Sequence, residues 1–257
     1  MAMNSKHARR DEETQAADLV QLDLDMVVSM GTPATRAALD AGAKAVVFWV
    51  GDPVATGFAA RLAKPGGRAT GVSVLSTELN RKRLELLAVA PGAKVVGYLT
   101  NASSPLMVHD LTQAQDAARI LGVQLIPFSA QSGRDLAALS QELRKQRVDA
   151  LVVVADLGLL AHRGDVAKLI REAKIPAVLP WKENHDEGVL MTYGPDNRAA
   201  MRLLATYVNK IETGNKPAEL PIEQISKYEL VVNIKAAKAL GITIPESILL
   251  RADEVIR

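Results

Sequence analysis

Three segments place a polar side chain between an apolar run and a proline: SMGTPATRAAL (Ser29–Leu39), VVFWVGDPVATGF (Val46–Phe58) and VVGYLTNASSPLMV (Val95–Val108). In each, a strand pattern gives way to Thr32-Pro33, Asp52-Pro53 or Ser104-Pro105, and then to a helical pattern. Proline suits a first helical turn because its missing N–H would be unpaired there anyway. The residue before it falls where an N-cap belongs. Unpaired backbone N–H groups and the helix dipole near Thr32 favour a carboxylate or a phosphate. Asp52 has the opposite sign and suits an ammonium or hydroxyls. Ordinary capping, worth about 1 kcal/mol each, accounts for any one junction alone. Three at successive strand ends point to a shared ligand cleft, because open parallel sheets bind at the carboxyl ends of their strands.

Other chemistry is missing from the sequence. It contains no phosphate loop, no G-x-G-x-x-G fingerprint and no G-x-S-x-G nucleophile elbow. KPGGRATG is glycine-rich but fits neither glycine pattern, and reads as a turn. His7, His109, His162 and His185 are scattered without metal-ligand spacing, and there is no cysteine. WKENHDEG (Trp181–Gly188) follows a strand pattern ending at Pro180 and either faces a cleft or forms a solvated loop. No paired carboxylates suggest acid–base work. The expectation is a binding pocket with no catalytic residue, metal or cofactor.

The elements that must position these junctions alternate along the chain. Short apolar runs read as strands at Met26–Val28, Ala45–Trp49, Val95–Leu99, Gln124–Pro127, Ala150–Val154 and Ala177–Leu179. Helical spacing lies between them at Pro33–Leu39, Ala55–Leu62, Leu79–Ala88, Leu106–Leu121, Leu136–Gln146 and Val166–Ala173. This is an α/β pattern with parallel sheets covered on both faces. Ser132 and Asp196 are placed to cap helices, and Gly214 to close the one after Asp196. In the tail, Lys227–Asn233 reads as a strand and Ile234–Leu240 as a short helix. Pro91-Gly92 separates two sets of units, which predicts two lobes.

The 257 residues are 48% hydrophobic, and 31 basic against 29 acidic residues leave a net charge of +2. That balance gives no reason to expect a nucleic-acid partner, and no apolar run is long enough to insert in a membrane. The polar start MAMNSKHARRDEETQ has no apolar core of the kind a secretory signal needs.

The phrases GTPA, GDPVATGF, KPGGRATGVSVLSTEL followed by KRLELL, GVLMTYGPD, and the tail ELPIEQISKYELVVNIKAAKALGITIPESILLRADEVI resemble the ABC-transporter substrate-binding proteins of tryptophan/tyrosine-type uptake systems. The likeness runs from about Asp11 to the C-terminus. It implies the type I periplasmic-binding-protein fold, with a small polar ligand, an amino acid and even an aromatic one among the candidates, enclosed between two lobes by hinge closure. It implies ABC permease subunits as partners and a periplasmic location, whereas the polar start, if genuine, implies a cytoplasmic one. On this reading residues 11–92 form the first lobe, joined by 194–218 and part of the tail. Residues 93–193 form the second, and 219–257 form a crossing segment and tail.

The matching ligand positions follow by chemistry: Ser29, Gly31 and Thr32 for a carboxylate; Asp52 or Asp156 for an ammonium; Trp181 for an apolar or aromatic portion; Asn101 and Ser104 for further hydrogen bonds. Trp49, inside an apolar strand, reads as core. The family begins with an export signal and a strand, helix and strand that have no match here. That departure implies an incomplete first lobe and an exposed edge at the strand ending at Val28, open to pairing with another chain. A late-opened reading frame, an imposed boundary, or completion by association each account for it. A cytoplasmic ligand-sensing domain related to transcription regulators, a non-functional truncated homologue and an α/β enzyme are the competing readings. The regulator lacks a helix-turn-helix segment, and the enzyme lacks any catalytic motif.

Overall fold

The computed structural model describes residues 13–74, 76–89, 92–102, 104, 107–184 and 188–257. The polar N-terminal stub, Pro91, Pro105 and His185 lie outside them. A helix over 13–21 (α1) opens the described chain. It is followed by β1 (Val27–Met30), α2 (Thr32–Asp40), β2 (Val46–Val50), β3 (Ala69–Ser73), α3 (Ser76–Val89), β4 (Val95–Asn101), α4 (Met107–Leu121) and β5 (Gln124–Ala130). Then come α5 (Gly133–Lys145), β6 (Ala150–Val153), α6 (Leu157–Ala161), α7 (Arg163–Ala173), β7 (Ala177–Leu179) and β8 (Met191–Pro195). The chain ends with α8 (Asn197–Glu212), β9 (Glu223–Gln224), β10 (Tyr228–Asn233), α9 (Ile234–Ala239), α10 (Glu246–Leu249) and β11 (Glu254–Ile256).

The chain forms two compact units. The first comprises residues up to 75 and Asp196–Lys227; the second comprises Ser76–Pro195 and Tyr228–Arg257. The first unit holds a four-stranded parallel sheet in the order β1-β2-β3-β9. Its core gathers Val46, Phe48, Val50, Phe58 and Ile222. The second holds a seven-stranded sheet in the order β11-β10-β8-β7-β6-β4-β5, parallel except where β10 runs antiparallel to β8. Its core includes Leu84, Leu87, Val96, Tyr98, Leu151, Val153 and Leu179.

The structure departs from the sequence reading in particular places. The first unit ends at residue 75 and not at Pro91-Gly92, because α3 packs on α4 and on β6, β7 and β8 of the second unit. The tail from Tyr228 onward joins the second sheet through β10 and β11, and only β9 adds to the first. α8 packs on β2 and β3 of the first unit.

The helix expected at Ala55–Leu62 is a run of turns instead. Thr56 Oγ1 donates to Asp52 O (2.7 Å), Phe58 N to Pro53 O (2.9 Å), and Gly57 takes a φ of 74°, so the chain coils once and stops. Where KPGGRATG read as a turn, its last residues enter β3. Gly71 lies so close to β2 that a Cβ there would sit 2.1 Å from Phe48 O. The absent side chain lets the strands meet.

Caps hold as read. Ser132 Oγ accepts from Asp135 N (3.3 Å) and Asp135 Oδ2 from Gln131 N (3.0 Å), closing the start of α5. Asp196 accepts from Arg198 N and Ala199 N (both 3.0 Å) at the start of α8.

Candidate ligand-binding site

In the second sheet, β4 pairs with β5 on one side and with β6 on the other. The chain therefore leaves β4 toward β5 and returns to build β6, β7 and β8 outward in the opposite direction. The β4/β6 boundary is the point where strand order reverses, and a crevice opens at such a point beyond the carboxyl ends of the strands. Asn101 ends β4 and Asp156 follows β6. Asn101 Nδ2 donates to Asp156 Oδ1 at 2.7 Å, joining the two strand ends across the reversal.

Asp156 is also the N-cap of α6: the same Oδ1 accepts from Gly158 N (2.8 Å) and Leu159 N (3.2 Å). Its Oδ2 has no hydrogen bond among the described residues. Gly158 is required by this arrangement, since a Cβ there would lie 2.6 Å from Asn101 Nδ2 and 3.0 Å from Asp156 Oδ1. Sequence reading named Asn101 and Asp156 separately and missed Gly158. LGLL carries no turn signal of its own, and the need for glycine comes from Asn101, far away in the sequence.

Ser104 stands beside them in a turn, its N–H on Asn101 O (3.0 Å) and its carbonyl accepting from Met107 N (3.1 Å). α4 begins at Met107, whose N–H the Ser104 carbonyl accepts.

In the first unit, Gly31 and not Thr32 is the N-cap of α2; Thr32 and Pro33 are its first two residues. Gly31 takes φ 87°, ψ 156°, which leads β1 directly into the helix with no side-chain cap on the first turn. The start of α2 therefore presents backbone N–H groups and the positive end of its dipole. Ser29 is buried and pairs its hydroxyl with Thr35 Oγ1 (2.8 Å), which in turn donates to Gly31 O (2.8 Å). These two hydroxyls lock the turn. Asp52 Oδ1 accepts from Val54 N (3.0 Å) and Ala55 N (2.9 Å), so it caps the turns after β2.

The two tryptophans exchange the environments expected of them. Trp181 is 6% exposed and belongs to the core of the second unit. Trp49 is half-buried, on the β2 face that also carries Val47, in register with the exposed Met30 of β1. The apolar pattern VVFWV conceals this because β1 is an edge strand and leaves that face partly uncovered. Among the described residues, no group of three or more His, Cys, Asp or Glu side chains is placed to hold a metal ion.

These features, two α/β units with polar strand-end loops, define a solute-binding fold. The family model described as ABC transporter substrate binding protein matches residues 1–256, and the chain belongs to that family. No curated protein matches it. Among solved structures it is similar to a Streptococcus pneumonia protein described as the ABC domain in complex with L-Trp, with 27% identity, a TM-score of 0.88, and 96% of this chain and 84% of that one covered. A conserved domain protein from Vibrio cholerae gives 26% identity and a TM-score of 0.88 over 96% of this chain and 83% of that one. A ligand-free, open substrate binding protein with adhesive properties from Clostridium difficile gives 24% identity and 0.64 over the same shares, a likeness of fold alone.

Proposed function

We propose that this chain captures an amino acid for an ABC importer. The Asn101–Asp156 pair carries the reading. It fixes one carboxylate at the point where ligands enter such sheets, and leaves Oδ2 for a ligand ammonium. Of the two aspartates that read as candidates, Asp156 is favoured over Asp52, because only Asp156 is tied to a second strand end. The uncapped start of α2 at Gly31 and Thr32 is suited to the carboxylate through backbone N–H groups, with Ser29 shaping the turn from beneath. Asn101 and Ser104 border the ammonium side. The described similarity to a protein complexed with L-Trp makes an aromatic amino acid the first to try. Trp181, being core, supports the pocket wall and offers no open ring face.

On this reading ligand contacts that differ between two conformations shift the balance toward the bound one. The ligand-bound form then docks on permease subunits, outside the cytoplasm. Among the described residues no helix is long and apolar enough to cross a membrane. Among the described residues β1 is the edge of its sheet, with Val28 51% exposed, and antiparallel pairing with β1 of a second copy would continue that sheet.

A thermal melt with a panel of amino acids, purines and small carboxylates tests the main reading. A ligand at a hundred times its Kd adds about 2.7 kcal/mol to a two-state fold. A rise confined to amino acids is expected; a rise with purines or simple carboxylates alone would sink the amino-acid assignment.

A further inference from the structure

The second unit buries a polar cluster beneath its strand-end loops. Arg83 and Tyr98 are 0% exposed, Asn80 1% and Asp110 7%. Arg83 Nε donates to Tyr193 O (2.7 Å) and Nη1 to Asn80 Oδ1 (2.5 Å). Asn80 Oδ1 also accepts from Ala155 N (3.4 Å), and Asn80 Nδ2 donates to Asp110 Oδ2 (3.4 Å). Among the described residues, Arg83 Nη2 and the Tyr98 hydroxyl have no hydrogen-bond partner. Burial pushes the guanidinium down to about 10, which leaves it charged at neutral pH in a site closed to water.

Stability alone gives such a group little reason to be there, since an apolar side chain of similar volume often serves as well or better. A guanidinium differs from leucine in direction, because its donors form a rigid fork. Here the fork joins two places that matter. One branch reaches the carbonyl of Tyr193 in β8, two residues before Pro195, after which the chain passes to the first unit. The other reaches, through Asn80, the amide of Ala155 immediately before Asp156. The same asparagine holds Asp110 in the first turn of α4, the helix that follows the Asn101 loop. Departures from apolar packing of this kind are expected where a site must be held in place.

We propose that Asn80 and Arg83 are positioning residues for ligand capture, holding the Ala155–Asp156 strand end, the start of α4 and the end of β8 as one body. This rests on Asp156 being a ligand contact.

The test is hydrogen exchange on the full chain and its Asn80→Ala and Arg83→Lys variants, with L-tryptophan titrations alongside. Lysine keeps the charge but replaces the rigid fork by one ammonium nitrogen, so it cannot hold Tyr193 and Asn80 in the same fixed geometry. We expect exchange at Ala155, Gly158 and Leu159 to quicken at least about ten-fold in both variants, with β5 amides unchanged, and the Kd for L-tryptophan to rise about ten-fold or more. Exchange that quickens evenly across the unit, or not at all, overturns the proposal, as does quickened loop exchange with an unchanged Kd. If the wild-type chain does not bind L-tryptophan, the choice of ligand fails and the exchange pattern alone decides. Asp156→Asn separates the two ideas: a variant that binds as tightly as wild type removes Asp156 as a contact, whatever Asn80 does.

Discussion

Asn101 Nδ2 meets Asp156 Oδ1 at 2.7 Å across the boundary between β4 and β6. The two residues belong to strands whose connections run to opposite sides of the sheet. One hydrogen bond therefore fixes the carboxylate and ties the two strand ends together at the reversal. The carboxylate spends one oxygen on three donors and keeps the other.

Replacing Asp156 by asparagine should separate folding from binding. Asparagine caps about as well as aspartate, so stability should change by only a few tenths of a kcal/mol. Loss of the charge should weaken a zwitterionic ligand at least about ten-fold, or about 1.4 kcal/mol. Calorimetric titration beside a melt checks this, and unchanged affinity would remove the ammonium contact.

Gly71→Ala should destabilise the first unit by about 3 kcal/mol or more, because the new Cβ must displace the backbone of β2. Gly57→Ala is the comparison. Its φ of 74° is unfavourable to alanine but no atom lies within 4 Å, so a loss of about 1–2 kcal/mol is expected. Equal losses in urea unfolding would mean that the strands can part to admit the methyl.

Asp196→Ala should cost about 1 kcal/mol through loss of the α8 cap. The Ala199 N–H and then Lys227 Nζ, 3.0 Å away, hold the Asp196 carboxyl below its usual 3.8. A depressed carboxyl stabilises the fold fully above that ordinary value, and the contribution fades as pH falls through the lowered one. The gap between wild type and variant should therefore be constant from pH 7 to 5 and shrink below about pH 4. A gap that grows in acid contradicts the assignment.

Val28→Lys should abolish concentration-dependent association through the β1 edge, since a charge on an edge strand opposes strand addition. Sedimentation at several concentrations reads this. A wild-type chain that stays monomeric throughout would remove the pairing of second copies.

Much of the fold was open to reading because its strands are short apolar runs between amphipathic helices, and β2, β4, β6 and β7 lie within a residue or two of their sequence positions. β3 was hidden for a physical reason. ATGVS looks like a loop, yet Gly71 is a glycine because another strand passes 2.1 Å from where its Cβ would be. Asn101 and Asp156 were legible from their place after apolar runs, but their bond depends on sheet order, which no local pattern encodes. The Arg83 cluster was concealed more fully. RKRLELL looks like a solvated helix start, and only the packing of α3 on the sheet turns one of its cations inward.

The interleaved path of the chain has a consequence for its synthesis. The first sheet waits for β9 at Glu223–Gln224, and the second for β11 at Glu254–Ile256. A nascent chain on the ribosome has neither unit complete until its last stretch has been made. β1–β3 must persist for some 150 residues of elongation before Thr70 Oγ1 can bond Leu220 O. At about 5–20 residues per second that is many seconds with strand edges exposed.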